Sequence, residues 1–335
     1  DNSYSERAPG EIAKQMGKKH ITIPPREEVE REIENGDWAG YFEARQKELV
    51  KGGSGQRSGT IILTDFYPLN RTFYVGSHVE LLGAFRAKHH IGSSAGFKAL
   101  EGFQGDWVLE WNKPNSRSWF SNFGAGLRQV HVESRPGVGG VYFRGAQQSA
   151  GIDNLVVRGF GEQAIGLRAG GDTYAIRDAF SDAAKGGEKS ATRREAVAFE
   201  LGERRAVSIR MENITAHNCQ TGLRWGDVAQ LTVENYESEL TDFPLVCTYN
   251  PRGVNLRNCA FRHTDNLLRL DRVRWWFDCL IKLDGQMSDN CPGRIIYPGG
   301  EHIAPKTFDL VVEANKQGVE VTNLREMREF YREGK

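Results

Sequence analysis

Met211-Glu-Asn-Ile-Thr-Ala-His217, Val233-Glu-Asn-Tyr-Glu-Ser-Glu239 and Leu256-Arg-Asn-Cys-Ala-Phe-Arg262 are three versions of one line within Val207–Leu270. Each holds Asn in the same slot, at 213, 235 and 258, so the steps are 22 and 23 residues. Each is followed by a short apolar stretch, Gly222-Leu-Arg-Trp225, Pro244-Leu-Val-Cys247 and Leu267-Leu-Arg-Leu270. The offset from Asn to the middle Leu is constant: 213 to 223, 235 to 245, 258 to 268. A fixed period in the low twenties, with two or three short strands per period, predicts a parallel β-solenoid.

The column extends upstream through Gln129, Asn154 and Asp178. The step from 178 to 213 is longer than the others, and the excess is the polar stretch Ala183–Ala196, read as a loop inserted in one coil. Such insertions hang off one face, often the binding face. Downstream, Asp278 can take the next slot. An amide at a coil corner can hydrogen-bond to the amides above and below it, about 4.8 Å away, and satisfy buried turn backbone. That is a structural role.

Composition agrees. Lys+Arg and Asp+Glu are both 44 in 335 residues, so the formal charge is zero, against a general nucleic-acid binder. Thirty-eight glycines suit many tight turns. No apolar run reaches the length of a membrane span. The five cysteines, 219, 247, 259, 279 and 291, include no CxxC pair, which argues against a disulfide framework or a zinc site; Cys219, Cys247, Cys259 and Cys279 fall in or beside repeat strands and read as buried apolar packing. The chain begins at Asp1, which fits either a removed export signal or a trimmed chain.

At the N-terminal end, Ile21–Pro25 reads as an extended lead-in. Arg26–Glu34 and Trp38–Val50 read as helices broken at Asn35-Gly36, the second with an apolar stripe of Trp38, Tyr41, Phe42 and Leu49. Thr60–Leu63, Thr72–Val75 and His78–Gly83 read as the first strands. Beyond Gly285, Thr307–Glu313 and Val319–Val321 read as strands and Leu324–Arg332 as a short final helix capped by Asn323. The division is 1–58 for an extension and helical cap, 59–306 for the solenoid and 307–335 for a C-terminal cap.

The passage Gly-Thr-Ile-Ile-Leu … Phe-Tyr-Pro-Leu … Thr-Phe-Tyr-Val-Gly-Ser-His-Val-Glu-Leu-Leu-Gly-Ala, Gly59 to Ala84, resembles the opening coil of the pectate-lyase-like right-handed β-helix superfamily. Asp65-Phe66 stands where that family usually has Pro-Gly before Tyr. The resemblance covers roughly residues 38 to 285. It implies an all-β, right-handed parallel β-helix with an N-terminal helical cap, and an extended polysaccharide as partner. The activities it implies are those of polysaccharide lyases and glycoside hydrolases, or the receptor binding of a phage tailspike or adhesin. It also implies an extracellular or periplasmic place, or a virion for a tailspike, and a monomer or a homotrimer.

Alternation assigns the faces. Positions +1 and +3 from the column are apolar or small: Val130/Val132, Leu155/Val157, Ala179/Ser181, Ile214/Ala216, Tyr236/Ser238 and Cys259/Phe261 point inward. Position +4 then presents Glu133, Arg158, Asp182, His217, Glu239 and Arg262 outward, and position +2 presents His131, Thr215 and Glu237. Carboxylates and an imidazole about 5 Å apart at the backbone suit acid/base work on a sugar chain. Asp182, Glu237 and Glu239 are the candidate carboxylates, His217 the proton shuttle, and Arg158 and Arg262 the substrate-charge partners. The alternative is a solvated strand face whose charges alternate to relieve repulsion.

A second outward row, Glu200, Arg224, Arg269 and Lys282, would suit a uronate or sulfated sugar, with Arg224 and Arg269 as binding residues; a solvated ion-paired wall is the alternative. Trp107, Trp111, Trp119, Phe120, Trp225, Trp275 and Trp276 could stack on sugars or pack under loops. No nucleotide, GxSxG, HExxH or EF-hand motif is present. No metal ligand set or cofactor is expected, except that a lyase could use Ca²⁺.

Overall fold

The strands that carry the three repeated lines lie side by side, in parallel and in register. Met211 stands opposite Val233 and Val233 opposite Leu256. The computed structural model describes residues 19–50, 59–85, 94–112, 122–147, 150–184, 195–202, 206–249, 252–271, 279–288, 291–297, 300–303, 307–315 and 318–323. Parallel pairing begins with Lys19–Ile23 against Gly59–Leu63 and runs to Asn266–Leu270 against Arg294–Tyr297. The chain therefore folds as a parallel β-helix, with the right hand that parallel crossovers take in nearly all cases.

Three walls enclose the core. One contains Gly126–Arg128, Gly151–Asp153, Ala175–Arg177, Arg210–Glu212 and Thr232–Glu234. The next, called here the ladder wall, contains Val130–Glu133, Leu155–Arg158, Ala179–Asp182, Ile214–His217 and Tyr236–Glu239. The third, called the arginine wall, stacks Leu167, Phe199, Leu223, Leu245 and Leu268. The constant Asn-to-Leu offset is this third stack. All +1 and +3 residues of the ladder wall are buried, including Ser181 and Ser238. Ser181 donates to the Ala198 carbonyl at 3.0 Å, and Ser238 bonds Thr241 at 2.8 Å, so neither hydroxyl is stranded.

The Asn column marks the corner between the first two walls. Gln129, Asn154, Asp178, Asn213, Asn235 and Asn258 all have φ between 49° and 57°. An L-residue in that left-handed region is strained by its Cβ, and Asn and Asp tolerate it best. The side chains also form a ladder: Asn213 donates to Asp178 at 2.9 Å, Asn235 to Asn213 at 2.8 Å and Asn258 to Asn235 at 2.6 Å. The expected amide stack is present, but its bonds run between exposed side chains rather than to buried turn backbone.

The next slot is not Asp278, which lies outside the described residues. Leu283 pairs with Leu256 and Gly285 with Cys259, so the slot falls at Asp284.

Both ends are closed. Helix Trp38–Val50 lays Trp38, Ala39, Phe42 and Leu49 on the first coil. Phe42 sits 5.2 Å from Tyr67, 5.4 Å from Phe73 and 5.2 Å from Phe97 between ring centres. Asp37 accepts from the Gly40 N–H at 3.1 Å, and Arg71 ties Asp37 and Glu43 to the first coil. Asn35, at φ 51°, makes the break ahead of this helix. Arg26–Glu34 is shorter than expected, an α-turn at Arg26–Val29 followed by a 3-10 turn at Glu30–Glu32. At the other end Thr307–Asn315 pairs antiparallel with Cys279–Met287 and with Gly318–Asn323, which ends the parallel stacking. The expected helix Leu324–Arg332 lies outside the described residues.

Cys219, Cys247, Cys259 and Cys291 are buried and unbridged.

Candidate functional site

The outward positions of the ladder wall form one continuous charge column. The paired strands put Lys98 beside Glu133, Glu133 beside Arg158, Arg158 beside Asp182, Asp182 beside His217, His217 beside Glu239 and Glu239 beside Arg262. All five +4 candidates from Arg158 to Arg262 are thus consecutive neighbours.

His217 is the centre of this column. Its Nδ1 lies 3.5 Å from Asp182 Oδ2 and its Nε2 lies 3.7 Å from Glu239 Oε2. Asp182 is only 2% exposed. It sits 3.5 Å from Arg158 Nη2, accepts from the Ala184 N–H at 2.9 Å, and accepts from Asn218 Nδ2 at 3.2 Å. Such a carboxylate orients its neighbours and is not open to a ligand. His217 and Glu239 are partly exposed, at 25% and 31% of their side chains, and are open. Asn218 Nδ2 also lies 2.8 Å from His217 Nδ1. The amide can donate to Nδ1 only in the neutral ring, whose proton is then on Nε2 facing Glu239; in the charged ring Nδ1 carries a proton that turns to Asp182 instead. The hydrogen bond to Asp182, opposed by partial burial and aided by the charges of Asp182 and Glu239, raises the imidazole above its ordinary value.

Glu237 points out two residues earlier and is held by Arg262 Nη1 at 3.2 Å. His263, absent from the sequence reading, brings Nε2 to 4.0 Å from Glu239.

The +2 column divides. Glu237 and Thr215 are partly exposed. His131 points out but is 2% exposed, packed edge-on to Phe66 at 5.3 Å, and Val156 and Phe180 beside it in the column are buried too. The expectation of a solvated +2 face therefore fails over its early coils, because that face is covered there. Burial, with Arg158 nearby, pushes His131 down to about 4.

The arginine wall carries a second polar column. Tyr142 stands beside Arg168, Arg168 beside Glu200, Glu200 beside Arg224, Arg224 beside Val246, and Val246 beside Arg269. Lys282 is not in it; that residue lies beside Asn255 on the first wall. Glu200 is shared by Arg168, at 2.5 Å, and Arg224. Arg269 pairs with Asp271 at 2.7 Å.

Upstream the sequence reading missed three residues, Glu110, Tyr142 and Arg144. Glu110 is buried and bonded to Arg144 at 2.6 Å. Arg144 lies over the Tyr142 ring at 4.3 Å, and Trp107 packs on Tyr142 at 5.1 Å. The signal was there: Glu110 and Tyr142 sit at the same strand position as Glu200 and Arg224.

Of the aromatic candidates, Trp111 and Trp225 are fully buried and Trp107 nearly so. Trp119, Phe120, Trp275 and Trp276 lie outside the described residues.

Asp182 is bound to Arg158 and Asn218, and Glu237 to Arg262. Among the described residues no group of three or more His, Cys, Asp or Glu is placed to hold a metal ion. No helix among them is long and apolar enough to cross a membrane.

Solved structures similar to this chain are β-helix proteins. A tailspike of an Acinetobacter phage matches with TM-score 0.44 and 9% identity, over 63% of this chain and 39% of its own. The catalytic domain of a GH87 alpha-1,3-glucanase in complex with tetrasaccharides matches with TM-score 0.33 and 9% identity, over 84% and 57%. An iota-carrageenase complexed to iota-carrageenan fragments matches with TM-score 0.27 and 9% identity, over 81% and 60%. The chain thus spans less than two thirds of each of these three proteins. No family model matches the chain, and no curated protein matches it.

Proposed function

We propose that the chain acts on an extended polysaccharide and that His217 transfers the proton. The observation that carries this is the placement of one half-open imidazole between a buried carboxylate and a reachable one, Asp182 at 3.5 Å and Glu239 at 3.7 Å. Asp182 holds the ring and favours its charged form. Glu239, and Glu237 beside it, face the polymer. Arg158 and Arg262 bracket the group and balance charge on the substrate. A solenoid wall is long and straight, and a polymer can lie along it.

Two routes use these groups: β-elimination and glycoside hydrolysis. Hydrolysis calls for two reachable carboxylates flanking a bond. With Asp182 buried, only Glu237 and Glu239 could serve, and Glu237 is tied to Arg262. In elimination a base takes the proton next to a carboxyl group, the carbon–oxygen bond to the leaving sugar breaks, and an acid protonates that oxygen. Glu239 as the base and the charged His217 beside it as the acid fit this route, with Arg158 and Arg262 in the same column.

The test is a screen of uronate-containing and neutral glycans, read by the ultraviolet absorbance of unsaturated ends and by new reducing ends. Elimination gives both signals and hydrolysis only the second. Neither signal on any glycan, with unchanged binding in His217→Gln, would overturn the proposal. The non-catalytic reading, a receptor-binding β-helix, would then stand, and a trimer by light scattering would favour it.

A further inference from the structure

The corner that ends the ladder wall is left-handed too. Asn218, Leu240 and His263 follow His217, Glu239 and Arg262 in successive coils, with φ of 51°, 55° and 51°, and Gly159 follows Arg158 with φ 72°. In each of the first two, as in Gly159, the backbone N–H bonds the carbonyl of the next coil. The slot accepts glycine, leucine and histidine, so the backbone does not require Asn at 218. Asn218 is buried, and its Oδ1 has no partner among the described residues. An amide kept for stability alone would pair its carbonyl. Asn218 instead pairs its nitrogen, and does so twice.

Asn218 Nδ2 lies 3.2 Å from Asp182 Oδ1 and 2.8 Å from His217 Nδ1. A carboxylate only accepts, so the amide must turn its nitrogen to this side. One amide hydrogen goes to each partner, and Nδ1 has to offer its lone pair. Asp182 Oδ2 competes for the same ring nitrogen from 3.5 Å. It gains a hydrogen bond only when Nδ1 carries a proton. Charging the ring therefore breaks the shorter contact to make the longer one.

The stacking fixes the other charged and titratable groups around the ring. Arg158 stands beyond Asp182, and Glu239 faces Nε2 at 3.7 Å. His263 Nε2 lies 4.0 Å from the other oxygen of Glu239, and Glu237 is held by Arg262. The two carboxylates beside the ring, Asp182 and Glu239, favour its charged form. Asn218 pulls the other way.

We propose that Asn218 is a positioning residue that restrains protonation of His217, by claiming the Nδ1 lone pair against Asp182. It also holds the neutral ring as the Nε2–H tautomer. A proton shuttle has to pass between both protonation states, and two carboxylates without this counterweight would favour one. The effect on turnover rests on the proton transfer of the preceding subsection; the effect on the ring does not.

The experiment is an NMR titration of the histidine ring nitrogens in the full chain, with the His217 signals identified by their loss in His217→Gln. In the parent chain the neutral ring of His217 carries its proton on Nε2. Asn218→Gly keeps the left-handed backbone, as Gly159 does. In it the His217 midpoint moves to higher pH, and the neutral ring shifts toward the Nδ1–H tautomer drawn by Asp182. Asn218→Leu, which copies Leu240, moves the midpoint the same way. On a cleaved glycan the alkaline limb of kcat/KM rises with the midpoint, a shift that a merely structural asparagine would not produce.

A midpoint that stays or falls in either folded variant would overturn the proposal. So would a parent ring whose neutral form carries its proton on Nδ1, and that measurement needs no variant to fold. The two readings fail separately. A shifted midpoint in a chain that cleaves no glycan sinks the chemistry alone. Turnover with an unshifted midpoint sinks the role of Asn218 alone.

Discussion

His217 Nε2 lies 3.7 Å from Glu239 Oε2, and one full coil of chain separates the two residues. Neither strand holds the pair by itself; the coil period does. Glu239→Gln keeps the shape and removes the charge, so it tests chemistry rather than packing. Loss of a general acid or base lowers turnover about 10²- to 10⁴-fold. That drop is expected in Glu239→Gln and in His217→Gln, measured on whichever glycan the screen identifies, with melting temperatures near that of the parent chain. An ionic ladder that only holds coils together would give the opposite pattern: activity kept and stability lost.

The two histidines of the ladder wall titrate in opposite senses. His131 is held low, at about 4, by burial. The unfolded chain therefore takes up a proton that the folded chain refuses. Stability falls as pH drops from about 6.5 toward about 4, by about 3 kcal/mol in all. His217 is held above its ordinary value by Asp182. Its contribution is fully present below about pH 6.5 and is lost as pH rises through the higher folded value. His131→Leu should flatten the acid side of a denaturant-stability profile, while His217→Gln should remove a gain on that side. A His131→Leu profile as steep as the parent's would refute the first assignment.

The corner ladder makes a prediction about backbone rather than contacts. Asn235 has φ 57° and bonds the amides of both Asn213 and Asn258. Asn235→Gly loses the bonds and keeps the backbone conformation free of Cβ strain. Asn235→Ala adds a left-handed penalty of about 1–2 kcal/mol. Asn235→Val, branched at Cβ, adds more. Urea midpoints should fall in the order Gly, Ala, Val. If Gly were the worst of the three, the amide bonds and not the backbone would dominate the corner.

The repeat made the fold legible because the coil corner imposes one residue type. Only Asn, Asp and a few others sit easily at φ near 53°, so the column 154, 178, 213, 235, 258 stands out once the insertion before 213 is allowed for. Once the column was set, alternation gave the inward and outward faces, and Arg158, Asp182, His217, Glu239 and Arg262 fell into line. Alternation does not say what lies over a face. His131 points outward yet is buried, and Asp182 is outward yet nearly inaccessible. Nor does a period survive irregular coils. The step from Leu256 to Leu283 is longer than its predecessors and carries a register shift, which displaced the slot from Asp278 to Asp284 and Lys282 to another wall. Glu110, Tyr142 and Arg144 were missed for a similar reason. Their coil lacks the Asn marker, and a buried glutamate reads in sequence like any solvated one.

The arginine wall offers a stability test with a built-in control. Glu200 is the one wall carboxylate between Arg168 and Arg224, and all three side chains are largely buried. Glu200→Gln leaves two guanidinium groups facing each other without a counter-charge. Removing one partner of a buried pair costs about 3–5 kcal/mol, most of it the penalty of the charge left behind. Denaturant titration of Glu200→Gln should show a loss of that order. Exchanging all three for apolar groups, as Glu200→Met with Arg168→Met and Arg224→Met, should recover most of it, because no uncompensated charge then remains. A triple variant as unstable as the single one would mean that the residues act through shape, and that the charges of this wall contribute nothing to holding the coils together.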